Sequence, residues 1–126
     1  MYRIGKRFQF EAAHALPSLP DGHKCARPHG HSYTVEITLT TTEALPSPGF
    51  VVDFGDLAPL NAYLNDCFDH RDLTTVLDVP ATSENVAHHL YCWCIDHLNL
   101  PAAVWVEKVR VSETASTYAE YVPALS

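Results

Sequence analysis

Two histidines separated by one glycine, His29-Gly30-His31, open a segment that alternates without a break. His29, His31, Tyr33, Val35, Ile37 and Leu39 fall on one parity, and Ser32, Thr34, Glu36, Thr38 and Thr40 fall on the other. A strand of period two sends both imidazoles to the same, apolar side. His14 ends an earlier row of the same kind, in which Tyr2, Ile4, Phe8, Phe10 and Ala12 share its parity while Arg3, Arg7, Gln9 and Glu11 take the other. If the two strands pair antiparallel, the three imidazoles converge at one end of a sheet. Three neutral nitrogen ligands at about 2.0–2.1 Å hold a catalytic zinc ion and leave its fourth position open. Two other readings use the same residues. Ordinary histidines, exposed or hydrogen-bonded in a core, give the same pattern. Cys25, acting as a fourth ligand, would instead close the site into a structural one.

The elements that must position these residues follow from periodicity and breakers. A strand over residues 2–14 leads into a turn-rich loop, Pro17 to Pro28, that carries His23, Lys24, Cys25 and Arg27. The second strand runs from His29 to Thr40. After the breaker segment Leu45 to Gly49, the residues Leu57, Leu60, Leu64, Cys67 and Phe68 recur at helical spacing. Asp53 or Asp56 is available as N-cap there, Pro59 fits only near the start, and the helix ends near Cys67. A second helix is signalled by Thr82 or Ser83 as cap and Glu84 in the first turn, with Val86, Leu90, Cys94 and Leu98 on one stripe before Pro101. Val104 to Glu113 reads as a third strand and Tyr118 to Val122 as a short fourth. The expected fold is α+β, a four-stranded antiparallel sheet with two helices on one face, in a single domain over residues 1–126. Cys67, Cys92 and Cys94 lie on the helical stripes and are expected in the core.

Composition narrows the function classes. A net charge of −7 over 126 residues, with no lysine- or arginine-rich run, argues against a nucleic-acid surface. No long uncharged run occurs, so neither a membrane span nor a signal peptide is expected, and the protein is expected in the cytoplasm with its four cysteines reduced. An anionic ligand must therefore be met locally, and Lys24 and Arg27, flanking Cys25, are the candidates. Glu113 shares the parity of Val109 and Val111, so a carboxylate ends an otherwise apolar inward row.

Five segments together resemble the pterin-forming synthases of the tunnelling fold: Phe10-Glu11-Ala12-Ala13-His14, Cys25-Ala26-Arg27-Pro28-His29-Gly30-His31, Asp69-His70, Thr82-Ser83-Glu84-Asn85 and Glu113-Thr114. The resemblance spans almost the whole chain, and the cysteine-plus-histidine run is its most specific part. It implies that His14, His29 and His31 bind Zn2+, that Cys25 is a catalytic acid or base outside the metal shell, and that Asp69 and His70 form a relay acting on it. A thiol acts as a base near neutral pH when cationic company favours its thiolate, which Lys24, Arg27, a zinc ion or a protonated His70 would provide. By the same resemblance Glu113 clamps the amino and ring nitrogens of a pterin, with Thr82, Ser83 and Glu84 as further contacts, although these three would also appear simply as helix-capping residues.

Only Ala26, Arg27 and Pro28 separate Cys25 from His29, and this short spacing resembles the 6-carboxytetrahydropterin synthase branch rather than the pyruvoyl-forming one. That branch implies 7,8-dihydroneopterin triphosphate as substrate, acetaldehyde and triphosphate as co-products, a place in 7-deazaguanine (queuosine) biosynthesis, and a homohexamer of two trimers whose sheets join into barrels. The chain departs from the family pattern at Ala81, where a proline often stands, with Pro80 displaced by one, and at Arg71 after His70. Two rivals come from other classes. His29-Gly30-His31 followed by Glu36 resembles a cupin metal motif, but a cupin needs a second histidine motif and many more strands. A non-catalytic zinc-stabilised module would unfold on losing its metal.

Overall fold

Strict alternation produces two long strands, β1 (Tyr2–His14) and β2 (His29–Thr41), in the computed structural model, which describes residues 1–124. They pair antiparallel along their whole length, from Tyr2 opposite Thr41 to His14 opposite His29. Next come α1 (Ala58–Cys67), β3 (Arg71–Asp72), α2 (Leu73–Val76), α3 (Ser83–His97), β4 (Trp105–Thr114) and β5 (Thr117–Tyr121). The sheet order is β3-β1-β2-β4-β5. Four of these strands form the expected antiparallel sheet, and the two-residue β3 adds a fifth, parallel to Ala12–Ala13 of β1. Two residues are too short to leave a period in the sequence, and so is the single turn of α2.

Helix boundaries follow their caps. Asp53 does not cap α1; its carboxylate accepts from Gly55 N at 2.8 Å and caps a 3-10 turn, Phe54–Leu57, from which α1 continues with Pro59 in its first turn. For α3 the cap is Thr82 rather than Ser83, its hydroxyl accepting from Asn85 N at 3.2 Å. None of the described helices is long and apolar enough to cross a membrane.

One face of the sheet carries the core. Phe8, Phe10, Tyr33, Val35, Ile37, Leu39, Val109 and Val111 pack against Leu60, Leu64, Phe68, Val86 and Leu90 of the helical layer, all buried. A β-bulge helps β4 fit this face. Thr38 pairs with Lys108 but Leu39 pairs with Val106, so Glu107 is the extra residue and both Val106 and Val109 turn inward. Of the helical cysteines only Cys94 is core, its thiol pushed up to about 12 by burial. Cys67 is half-buried and packs against the core, while Cys92 is exposed, correcting the expectation for Cys92. Two residues of helix amount to about 200° of rotation, so Cys92 and Cys94 cannot share a face. All four cysteines are free.

The opposite face is polar, laced by Arg3–Glu107, Arg7–Glu36 and the pair Lys108 and Arg110 on Glu120. Such solvent-screened ion pairs contribute little, so the stability of the domain rests on the other side. Phe68 is fully buried, with ring centroids 5.5 Å from both Phe10 and Tyr63. Phe68→Ala is expected to cost about 3–5 kcal/mol in denaturant unfolding. A loss under about 1 kcal/mol, well below that range, would mean that α1 is not docked as described.

Candidate active site

The β1–β2 register makes the site. His14 lies directly across from His29, and His31 stands opposite Ala12, one same-face step along the strand and diagonal to His14. Their Nε2 atoms meet: 2.8 Å from His14 to His29 and 3.1 Å from His14 to His31, and the three residues' ligand atoms all lie within 4.8 Å of one another. The opposite ring nitrogens are turned to backbone carbonyls, His14 Nδ1 to Ala81 O and His29 Nδ1 to Arg27 O, each at 2.7 Å. A carbonyl only accepts, so each Nδ1 carries the proton and each Nε2 presents a lone pair. Lone pairs converging at these distances repel unless a cation lies among them, and backbone acceptors behind metal-bound histidines are the usual arrangement. His14 is almost fully buried, and burial lowers the pKa of His31 despite the opposing pull of Glu113, favouring the neutral ligand form. The residues thus form a three-nitrogen donor set suited to a metal ion.

Glu113 reaches the same end of the sheet from β4. The pairing of Thr34 with Ser112 places it one step on, beside Tyr33. Its carboxylate oxygens lie 3.6 Å from His31 Nε2 and 4.0 Å from His14 Nε2. Glu113 lines a cavity of about 350 Å³ together with Thr82, Ser83 and Glu84 at the start of α3. The sheet and the helix N-terminus therefore bring all four proposed pterin contacts to one place beside the histidines. Tyr33, which the sequence reading placed only as an inward strand residue, belongs here too. Its ring lies edge-on to His14 and His31, with centroids 6.1 and 5.6 Å away, and its buried hydroxyl has no hydrogen-bond partner among the described residues. Burial first, and Glu113 second, push the Tyr33 hydroxyl's pKa upward and keep it protonated. The sequence signal was its inward parity two residues after His31.

Cys25 sits in a 3-10 turn, Lys24–Ala26, capped by His23, whose Nδ1 accepts from Cys25 N at 3.1 Å. Its carbonyl accepts from Leu16 N at 2.9 Å, fastening the loop to the end of β1. Cys25 is half-buried, with Lys24 and Arg27 exposed on either side. Among the described residues the cluster of potential metal ligands consists of the three histidines without Cys25.

Asp69 and His70 form a pair of their own, His70 Nδ1 lying 2.9 Å from Asp69 Oδ2. Asp69 Oδ1 accepts from Glu11 N at 2.8 Å; that bond, and then His70, hold the carboxyl below its ordinary range. His70 adopts a left-handed backbone, φ 58°, an uncommon conformation for a residue with a side chain and one that recurs at functional sites. Its ring is 79% exposed. It borders a cavity of about 540 Å³ whose lining mixes Glu11, Gly30 and Ser32 with Ala12 and His31 of the histidine parity. The hydrogen bonds of the pair run to β1, and those of Cys25 to His23 and Leu16; among the described residues no hydrogen bond joins the two groups.

Three imidazole nitrogens at the end of an antiparallel sheet, beside a carboxylate-bearing pocket at a helix N-terminus, make a site that could hold a metal ion and a small ligand together. Comparisons with known proteins give it a family. The family model for 6-pyruvoyl tetrahydropterin synthase matches residues 3–124, and the chain belongs to that family. It is 37% identical to the 6-carboxy-5,6,7,8-tetrahydropterin synthase of Synechocystis sp., over 100% of this chain and 98% of that one. It is 34% identical to a putative 6-carboxy-5,6,7,8-tetrahydropterin synthase of Archaeoglobus fulgidus, over 93% and 92%. Its fold matches the structure of Caenorhabditis elegans 6-pyruvoyl tetrahydropterin synthase with a TM-score of 0.83 and 27% identity, covering 98% of this chain and 96% of that one.

Proposed function

We propose that this protein is a zinc-dependent lyase that converts 7,8-dihydroneopterin triphosphate and water to 6-carboxy-5,6,7,8-tetrahydropterin, acetaldehyde and triphosphate, in the route to 7-deazaguanines such as queuosine. The observation that carries the reading is the convergence of three Nε2 lone pairs, two of them set by carbonyls behind the rings, beside the Glu113 pocket. Zinc held by His14, His29 and His31 would supply Lewis acidity toward the substrate's side-chain hydroxyls. Glu113 would accept two N–H bonds from the pterin edge, fixing the ring against the start of α3, where Thr82, Ser83 and Glu84 line the wall. Cys25 would move protons at the side chain, and the exposed Lys24 and Arg27 would meet the triphosphate.

The pair Asp69–His70 is bonded to the backbone of β1 and Cys25 to the loop that follows it, and the relay role is assigned to a Cys25 of a neighbouring copy. That fits a homohexamer of two trimers with the site at a subunit interface. The full site then forms only in the assembly, in the cytoplasm, and takes a small-molecule partner rather than nucleic acid or membrane.

Chelation separates this enzyme from a zinc-stabilised module. Removing metal is expected to abolish turnover while circular dichroism stays that of the folded protein, since the core that joins sheet and helices is built from hydrophobic side chains rather than from the ligands; added Zn2+ then restores activity. Unfolding on chelation would favour the module.

A further inference from the structure

The Ala81 carbonyl that accepts from His14 Nδ1 belongs to a peptide unit whose orientation is set from outside. The N–H of that same Ala81–Thr82 peptide donates to Pro80 O at 2.9 Å, closing a three-residue turn. A trans peptide is planar, with N–H and C=O pointing in opposite directions. The Ala81 carbonyl therefore points away from Pro80, and it meets His14 at 2.7 Å. The turn has one further anchor: Asn85 Nδ2 donates to the same Pro80 O at 2.9 Å, while Asn85 N–H donates to Thr82 Oγ1 at 3.2 Å. Asn85 thus grips both ends of the Pro80–Thr82 turn from the first turn of α3. Proline has no N–H to offer and alanine no polar side chain, so this grip falls to the asparagine.

We propose that Asn85 is a positioning residue of the metal site: by holding Pro80 O it fixes the Ala81–Thr82 peptide, whose carbonyl sets the tautomer and ring direction of His14. The proposal rests on the reading of His14 as a metal ligand. It also accounts for the residue type. Asn85 is the third residue of α3, where the positive end of the helix favours a carboxylate. Aspartate would serve the helix better but has no N–H for Pro80 O.

Asn85→Asp separates the two roles. It retains the backbone N–H that Thr82 caps and suits the helix, so thermal unfolding is expected within a few degrees of wild type. The hold on the Pro80–Thr82 turn is lost while the Ala81 carbonyl itself remains, so affinity for Zn2+, measured by chelator competition, should fall by about tenfold, the low end of the cost of losing a direct outer partner. In the metal-free protein, NMR should show a slowly exchanging proton on His14 Nδ1 in wild type and faster exchange in the variant. Asn85→Ala, which adds no charge, carries the same expectation should the aspartate variant fold poorly. Wild-type affinity together with a wild-type His14 Nδ1 proton in either folded variant would overturn the proposal. Failure of wild type to bind metal would overturn the metal reading instead, while the exchange of the His14 proton still decides whether Asn85 positions the ring.

Discussion

Cys25→Ala should retain its full complement of zinc and lose turnover by about 10²–10⁴-fold, the range of one acid–base group in a transition state. Both halves follow from where the residue sits. The ligand atoms that could hold a metal are the three imidazole nitrogens, and the thiol is not among them. The 3-10 turn instead presents Cys25 half-buried between two exposed cations, on a loop tied by its own carbonyl to Leu16 at the end of β1. In the proposed mechanism, removing the thiol takes away a group that moves protons and leaves the histidines, Glu113 and the pocket wall intact. Metal analysis beside single-turnover kinetics checks the prediction. Loss of zinc in proportion to loss of activity would make Cys25 a ligand and the site a structural one.

His14→Ala should instead lose metal and turnover together, weakening zinc by more than about 100-fold, beyond the cost of losing an outer partner. His14 is the member that touches both others, at 2.8 and 3.1 Å. It is also the buried one, so its loss leaves the Ala81 carbonyl without its partner and costs stability of about 1–3 kcal/mol. Chelator competition reads the first effect and denaturant unfolding the second. His70→Ala is the control, expected to lower turnover at wild-type zinc affinity because its bonds lead to Asp69 and β1. Equal zinc affinity in His14→Ala and wild type would remove His14 from the metal site.

Parity carried much of this into the sequence. A period of two forces His29 and His31 onto one face, and a loop between two such strands favours an antiparallel pair, so the meeting of the three imidazoles was legible before any coordinates. Glu113 was legible only in part. Its parity with Val109 and Val111 is visible, but the bulge at Glu107 that also turns Val106 inward is not, because an extra residue in one strand is defined by its partner. The acceptor for His14 was out of reach for a different reason: a backbone carbonyl carries no residue type, so nothing marks Ala81 as the residue behind a ligand. Asn85 stood in the quoted Thr-Ser-Glu-Asn run without a role, its side-chain bond to Pro80 being a feature of a turn rather than of a period. Cys92 was misplaced because a stripe two residues wide does not exist on a helix. The placement of Asp69–His70 beside β1 involves a left-handed residue at His70 and the two-residue β3, neither of which leaves a pattern in composition or spacing.

The most direct measurement is mass spectrometry of the products formed when the zinc-loaded protein is incubated with 7,8-dihydroneopterin triphosphate. The account predicts 6-carboxy-5,6,7,8-tetrahydropterin together with acetaldehyde and triphosphate. Formation of 6-pyruvoyltetrahydropterin in their place, or substrate recovered unchanged from protein that binds zinc, would contradict it.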